Sequence, residues 1–588
     1  MSGLGLVLDV AKEALLAQRY AIDIVSHNIA NVNTPGYTRQ TATLLAKEAS
    51  PLGGVMLGRG VSIDEVIQNT DAFIEARLRD RKTELMAMSE KEVYMSAFEG
   101  IFSESSGSSL STQLSDFWNA WQDLSNNPSG TSERNILYER GALLTESFQG
   151  LYEDMNQILN ELENVIKTGV DTVNNLLSNI ADLNQQIIQI EVAGNANDLR
   201  DQRNLALSQL AEYMDIKSYE NEDGNLTVTT GRGYVLVSRG DAYPLKVNGT
   251  EIQWEGSGSS VVTITDTVTG GKLGGWLDIR DEIIPEYKAD MDALAAAVIW
   301  ETNKVHSQGV GLEAMSSVTG TYQTTTTLDA LAFGSNVDFN KSFKLWIGDA
   351  NGDNLQEIEI DMTYVNGGIG PVTGASALAD LAASINDQIT TKAGLSGVTA
   401  TVSAGKLQLT ADATHTFAFS DDTSGILAAL GVNAFFAGSS ANDIGMNSVL
   451  NADRGMIAAG RVDSSGGIAS GDNSNALAIA NLQYESVTVK KWTYERGSAA
   501  TSSDETGTLE AYYHSFVGSI GVDSQSITRA REFNETIVET LSATRDNISA
   551  VSLDEEMTNL IKYQHAYAAA AKLISAADEM LQILLETK

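Results

Sequence analysis

The groups in this sequence able to do chemistry are carboxylates and a few histidines. His27, His306, His415, His514 and His565 stand apart, none within ten residues of another. No zinc-binding helix pattern, complete phosphate loop, dinucleotide fingerprint or nucleophile elbow occurs. With no cysteine, thiolate nucleophiles, disulfides and cysteine-ligated zinc are excluded. A lone histidine is more often solvated or satisfied in a core than a ligand. Among 77 Asp and Glu residues, two acids close in sequence carry no weight as a general acid–base pair. The nearest approach to a metal site is Asp349-Ala350-Asn351-Gly352-Asp353. It starts like a calcium loop, with oxygens at alternate positions. It then departs, with Asn354 where the sharp-turn glycine belongs and Ile360 where the closing glutamate belongs. A polar β-turn between two strands explains the stretch as well. Catalytic residues, a metal and a cofactor are accordingly not expected.

Bulk properties narrow the partners. The chain has 588 residues, room for roughly four domains. Apolar content of 43% suits packed cores rather than general disorder. A formal net charge of −39 repels nucleic acid and anionic membrane surfaces, so neither is an expected partner. No run of apolar residues is long enough to span a bilayer. Asp9, Glu13, Arg19 and Asp23 interrupt any apolar signal core near the start, so no cleaved signal peptide is expected. The acid is unevenly placed. Residues 316–440 hold 12 acids and 4 bases, whereas residues 1–65 hold 6 acids and 5 bases. The near-neutral end can pack side by side in a polymer more readily than the acidic middle.

With little chemistry to position, the elements themselves become the subject. In the first helical pattern Leu8, Leu15, Ile22 and Ile29 recur every seven residues. Leu4, Ala11 and Val25 fill a second row, with Gln18 as its polar interruption. Near the other end Leu553, Leu560, Tyr567, Ile574 and Leu581 also recur every seven, and Met557, Tyr563, Ala570, Ala577 and Leu584 widen that stripe. A seven-residue apolar repeat presents one seam to a partner helix. Two such helices at the two chain ends point to mutual packing or to packing against other subunits. The first helix should stop near Asn31. Asn33-Thr34-Pro35-Gly36 is then a turn, in which Pro35 pre-sets its own φ and Gly36 takes a positive one. By composition, Asn28, Asn31, Pro35 and Gly36 read as a helix stop and turn with no partner.

Between the ends the pattern alternates between helix and strand. Leu114, Phe117, Trp118 and Trp121 form an aromatic helix face expected in a core. From Met155 to Ile190 apolar residues alternate at spacings of four and three, and only Gly169 fails the pattern. That is a long helical rod, followed by a returning helix, Asp198–Met214. Strand patterns follow, with a hairpin turn at Val247-Asn248-Gly249-Thr250. Pro285 should begin another helix. Residues 317–435 read as an inserted β-rich unit with strands at Phe343–Ile347, Glu357–Met362, Val398–Val402 and Lys406–Thr410 and a short helix at Ala377–Ile389. Val522–Ile548 is helical again. The expected fold is multidomain α plus β: a terminal coiled-coil or bundle stalk carrying nested β-rich outer domains. The expected division is residues 1–65 with 550–588, 66–215 with 500–549, 216–316 with 436–499, and 317–435.

ANVNTPGYTRQ after an amphipathic helix resembles the signature of the bacterial flagellar rod, hook and hook-associated family. SLDEEMTNLIKYQHAYAAAAKLISAADEML resembles the C-terminal signature of the same family. LRDQR and KLGGWLDIRDE are similar to further family segments. TGASALADLAASIN and FAFSDDTSGILAALGVN resemble a shorter motif of outer domains in some flagellins and hook-associated members. ISAVSLDEEMTNL and the long central insertion are most similar to the branch at the junction of hook and filament. The resemblance implies a structural, non-enzymatic, extracellular flagellar subunit. Its terminal helices would build the inner tube, with Leu8, Leu15, Ile22, Asn28, Ile29, Asn31, Pro35, Gly36, Tyr37, Leu553, Leu560, Tyr567, Ile574 and Leu581 at the assembly interface. The implied partners are a ring of copies, the hook protein, the next hook-associated protein, the type III export apparatus and an export chaperone. The near alternatives are a hook or distal-rod protein, or an adhesin carried on the outer β domains.

Overall fold

A computed structural model describes all residues except 1, 53–54, 104–108, 192–193, 222–223, 259 and 587–588. The chain divides into two compact units.

The first unit comprises residues 1–94, 161–279 and 525–588. Its N-terminal helix, Ser2–Ala30, and C-terminal helix, Leu553–Glu586, pack along each other. After the first helix, Gln40–Ala46 pairs antiparallel with Val61–Gln68, with a bulge between Thr43 and Leu44. Within that hairpin Ser50–Leu52 pairs with Val55–Leu57, while the intervening residues 53–54 lie outside the described residues. The long helix Thr131–Ile190 contributes its second half to this unit. Leu162, Ile166, Val173, Ile180, Leu183 and Ile187 of the expected seam are buried along it, whereas Leu176 is half-buried and Ile190 is exposed. Gly169 breaks the pattern because the Trp276 ring occupies the space; a Cβ there would lie 2.6 Å from Trp276 Cζ3. The returning helix, Asn197–Tyr213, leads into an antiparallel four-stranded sheet and then a three-stranded one. Gly249, at φ +61, makes the expected turn in the second sheet.

The second unit comprises residues 95–160 and 280–524. Its core holds Phe117, Trp118 and Trp121 from the helix Leu110–Asn126, packed against Phe435 and Phe436. His306 ends the helix Ile284–His306 within this cluster. Its tautomer is fixed by its partners. Nδ1 lies 2.7 Å from the Asn433 carbonyl, which can only accept, and Nε2 lies 3.0 Å from the Ala458 N–H, which can only donate. Burial pushes the ring down to about 4, so it stays neutral. The inserted segment forms two three-stranded sheets, each of antiparallel pairs. All four expected strands and the helix Leu378–Asp387 are present. His415–Ser420 adds a further strand, pairing with Ser342–Asp349.

As expected, Pro285 stands in the first turn of the helix Ile284–His306, and a π-turn at Ile279–Ile283 precedes it. The wider turn accommodates a residue with no N–H to return to the carbonyl four back.

Candidate functional site

The first helix ends where Asn31 N–H bonds back to His27 and Asn28 carbonyls. Thr34 and Tyr37 N–H groups then close successive turns. Gly36 has φ +77, and a Cβ there would stand 3.1 Å from Leu205 Cβ, so glycine is required twice over. The turn brings Tyr37–Gln40 back alongside the last helical turn.

Asn28, 1% exposed, is the centre of what this builds. Its Nδ2 donates to the Gln40 carbonyl at 2.9 Å and to Glu556 Oε2 at 3.0 Å. Its Oδ1 accepts from Tyr37 Oη at 2.8 Å and from Gln40 N–H at 3.1 Å. Since the Tyr37 proton is spent on Asn28, His27 Nδ1, 3.0 Å away, donates to the phenol oxygen. Burial and nearby Asp198, Asp201 and Glu556 hold the Tyr37 phenol protonated. The correction to the sequence reading is direct: Asn28 is not a bare helix stop without a partner, since it reaches the last helix.

Two neighbouring residues complete the latch. Arg39 places Nη1 2.9 Å from Glu555 and both Nε and Nη2 2.9 Å from Glu556 Oε1, while its N–H donates to the Ser549 carbonyl. Glu556 is thus a buried carboxylate neutralised by Arg39 and bonded by Asn28. On the other side Asp201 accepts from Thr38 N–H at 2.9 Å, Thr38 Oγ1 at 2.7 Å and Gln68 Nε2 at 2.7 Å. Burial pushes its carboxyl up to about 6. Gln40 Nε2 donates to Asp198. Helical spacing explains this use of DLRDQR: Asp198 and Asp201 share one face, while Arg200 and Arg203 turn to Glu191 and Glu220 on the other.

The expected interface residues fall into three groups. Asn28 and Tyr37 belong to the latch, whereas Asn31, Pro35 and Gly36 shape the turn, Asn31 bonding to His27 and Thr34. Leu8, Leu15, Ile22, Ile29, Leu560, Ile574 and Leu581 are half-buried, and Leu553 and Tyr567 are exposed. The rows fully buried within the chain are instead Ala11, Ala17, Ala21 and Val25 on the first helix and Glu556, Ala570 and Ala577 on the last. Small side chains there let the two helices approach closely. The Leu584 side chain lies outside the described residues. Sequence reasoning missed Thr38, Arg39, Gln40, Gln68, Asp198, Asp201 and Glu556. The signals available were TRQ directly after the turn, the acid pair three apart in DLRDQR, and the acidic start of the last helix.

Among the described residues no group of three or more His, Asp or Glu could hold a metal ion, and no helix is long and apolar enough to cross a membrane. The Asp349 carboxylate accepts from Asn351 N–H, Asp353 N–H and Asn354 Nδ2, the pattern of a polar β-turn.

Comparison with known proteins matches these features to a family. The flagella basal body rod protein family matches residues 8–38, and the flagellar basal body rod FlgEFG protein C-terminal family matches residues 545–587. The flagellar hook-associated protein FlgK helical domain matches residues 95–320. Rod-type sequences on both paired terminal helices define an axial component of the bacterial flagellum. Flagellar hook-associated protein 1 of Bacillus subtilis is 27% identical over 98% of this chain and 96% of its own length. That of Escherichia coli is 27% identical over 99% of this chain and 100% of its own. The structure of the flagellar hook junction protein FlgK from Burkholderia pseudomallei is similar in fold, with a TM-score of 0.50 and 16% identity, covering 81% of this chain and 100% of that one. Along nearly its whole length the chain is therefore similar to flagellar hook-associated protein 1.

Proposed function

We propose that this chain is a structural subunit of the flagellum that joins hook to filament and assembles through its paired terminal helices. The observation that carries the reading is the division of labour on those helices. Their alanine rows and the Asn28–Arg39–Glu556 latch hold the two ends together, yet Val7, Leu16, Tyr20, Met557, Ile561, Leu573, Met580 and Ile583 remain exposed. Such a second apolar surface gains about 25 cal/mol per Å² when neighbouring subunits cover it. The names of the full-length relatives support an association with the flagellar hook.

In this reading the protein works as a mechanical adaptor and catalyses nothing. Its neighbours are further copies in a ring, hook protein on one side and the next hook-associated protein on the other. It reaches the outside of the cell through the flagellar export apparatus, with a chaperone, and without cleavage. The nested four-part division belongs to the same proposal, and limited proteolysis tests it. The decisive experiment is a deletion strain. It should build hooks, release filament subunits into the medium and carry no filaments. Normal filaments on that strain would overturn the reading.

A further inference from the structure

In the second unit Val487–Thr493 pairs with Thr501–Gly507 as a hairpin whose outer edge lies along the helix Ile284–His306. Three carboxylates meet that edge. Asp290 Oδ1 accepts from Trp492 N–H at 2.8 Å, Glu286 accepts from Tyr494 N–H, and Glu282 Oε1, in the preceding π-turn, accepts from Arg496 N–H at 3.1 Å. The match is one of period. Residues four apart on a helix rise about 6 Å, and residues two apart on a strand advance about 6.6 Å. Successive helical turns therefore meet alternate outward N–H groups of the extended segment.

Elsewhere the hairpin has little beneath it. A cleft of about 490 Å³ opens between it and the helix, lined by Ala293, Ala297, Trp300, Trp492 and Tyr494 among others. Val489 is buried, and Tyr512 Oη donates to the Lys490 carbonyl at 2.9 Å. The carboxylate ladder is thus the principal polar attachment along this edge.

We propose that the ladder is a pH-sensitive clasp, tight in mildly acid surroundings and looser above neutrality. Docking strips water from acids that also face one another. Asp290 faces Glu286, Glu505 of the hairpin and Tyr512, with Lys491 as an opposing cation. Glu286 faces Asp290 and Asp523, again with Lys491 opposing, and Tyr287 donates to Asp523. Glu282 has Arg496, whose Nε is 3.8 Å away. Burial comes first among the causes that push Asp290 up to about 6 and raise Glu286. An undocked carboxyl keeps its ordinary, lower value. The docked form therefore binds more protons, so docking strengthens as pH falls through about 6 and weakens as it rises. A protonated carboxyl still accepts through its carbonyl oxygen, so the bonds survive while the cost of the buried charge disappears.

The test is hydrogen exchange of the full chain, read on peptides from residues 487–507 between pH 5 and pH 8 and corrected for intrinsic rates. Wild-type protection should fall about tenfold over that range, following the shift of Asp290 alone. Asp290→Asn keeps the acceptor and removes the titration, so it should flatten the slope, and Glu286→Gln should reduce it. Unchanged protection of the buried helix Leu110–Asn126 serves as the folding control. A flat wild-type profile overturns the proposal, as does a folded Asp290→Asn variant with the wild-type slope. If Asp290→Asn does not fold, the wild-type profile and Glu286→Gln decide it by the same criteria.

Discussion

Asn28 uses one amide group to tie three segments: its own helix, the strand that returns after the turn, and the last helix. Alanine there leaves Gln40 N–H and a buried Glu556 oxygen without that partner, at about 3 kcal/mol. Native-state hydrogen exchange of residues 26–40 in Asn28→Ala should show local opening easier by that amount. His306 belongs to the other unit and makes a pH prediction of defined sign. Its folded value of about 4 lies below the ordinary 6.5. Neutral histidine is favoured, so its contribution is full above 6.5 and is lost progressively as pH falls toward 4. At pH 5 the loss is about 2 kcal/mol. In urea unfolding, His306→Gln should be weaker than wild type at pH 7 but should lose about 2 kcal/mol less between pH 7 and pH 5. The buried acids with raised values are common to both proteins and cancel in the difference.

At the scale of elements, the terminal helices present two kinds of surface with separable roles. Ala570 and Ala577 face inward, where a larger side chain forces the helices apart. Ala570→Leu should destabilise the monomer by about 1–3 kcal/mol. Ile561 and Leu573 point to solvent, 52% exposed each. Ile561→Glu with Leu573→Glu should move monomer unfolding by no more than about 0.5 kcal/mol per site. The same pair should abolish polymer formation and motility when returned to a deletion strain. Thermal unfolding of the monomer beside sedimentation and motility assays separates the two effects. The hairpin at Gln40–Gln68 extends the exposed apolar surface, since Leu44, Leu45, Met56 and Ile67 on it are exposed as well.

At the scale of the whole molecule, a net charge of −39 must be brought together many times in any assembly. Copies repel over a Debye length of about 10 Å at 0.1 M salt and about 30 Å at 0.01 M. Apolar contacts strengthen little with dilution of salt, whereas the repulsion grows. Self-association of the purified chain should therefore rise between about 0.01 M and 0.1 M salt, as followed by sedimentation velocity.

The sequence alone determined the helical ends, the long rod, the strand-bearing insert and the family resemblance, because each rests on local periodicity or on short contiguous signatures. Gly36 was legible for the same reason, since a turn of that type needs a positive φ wherever it stands. Tertiary structure decided the rest. A heptad states that a helix has an apolar seam but not which of two adjacent rows meets the partner, and here the alanine rows do. Nor does sequence spacing place Asn28 beside Glu556, 528 residues away, or set Asp201 against Thr38. Polar partners obey no period, and a buried amide or carboxylate is recognisable only once folding has taken its water away and supplied the groups that replace it.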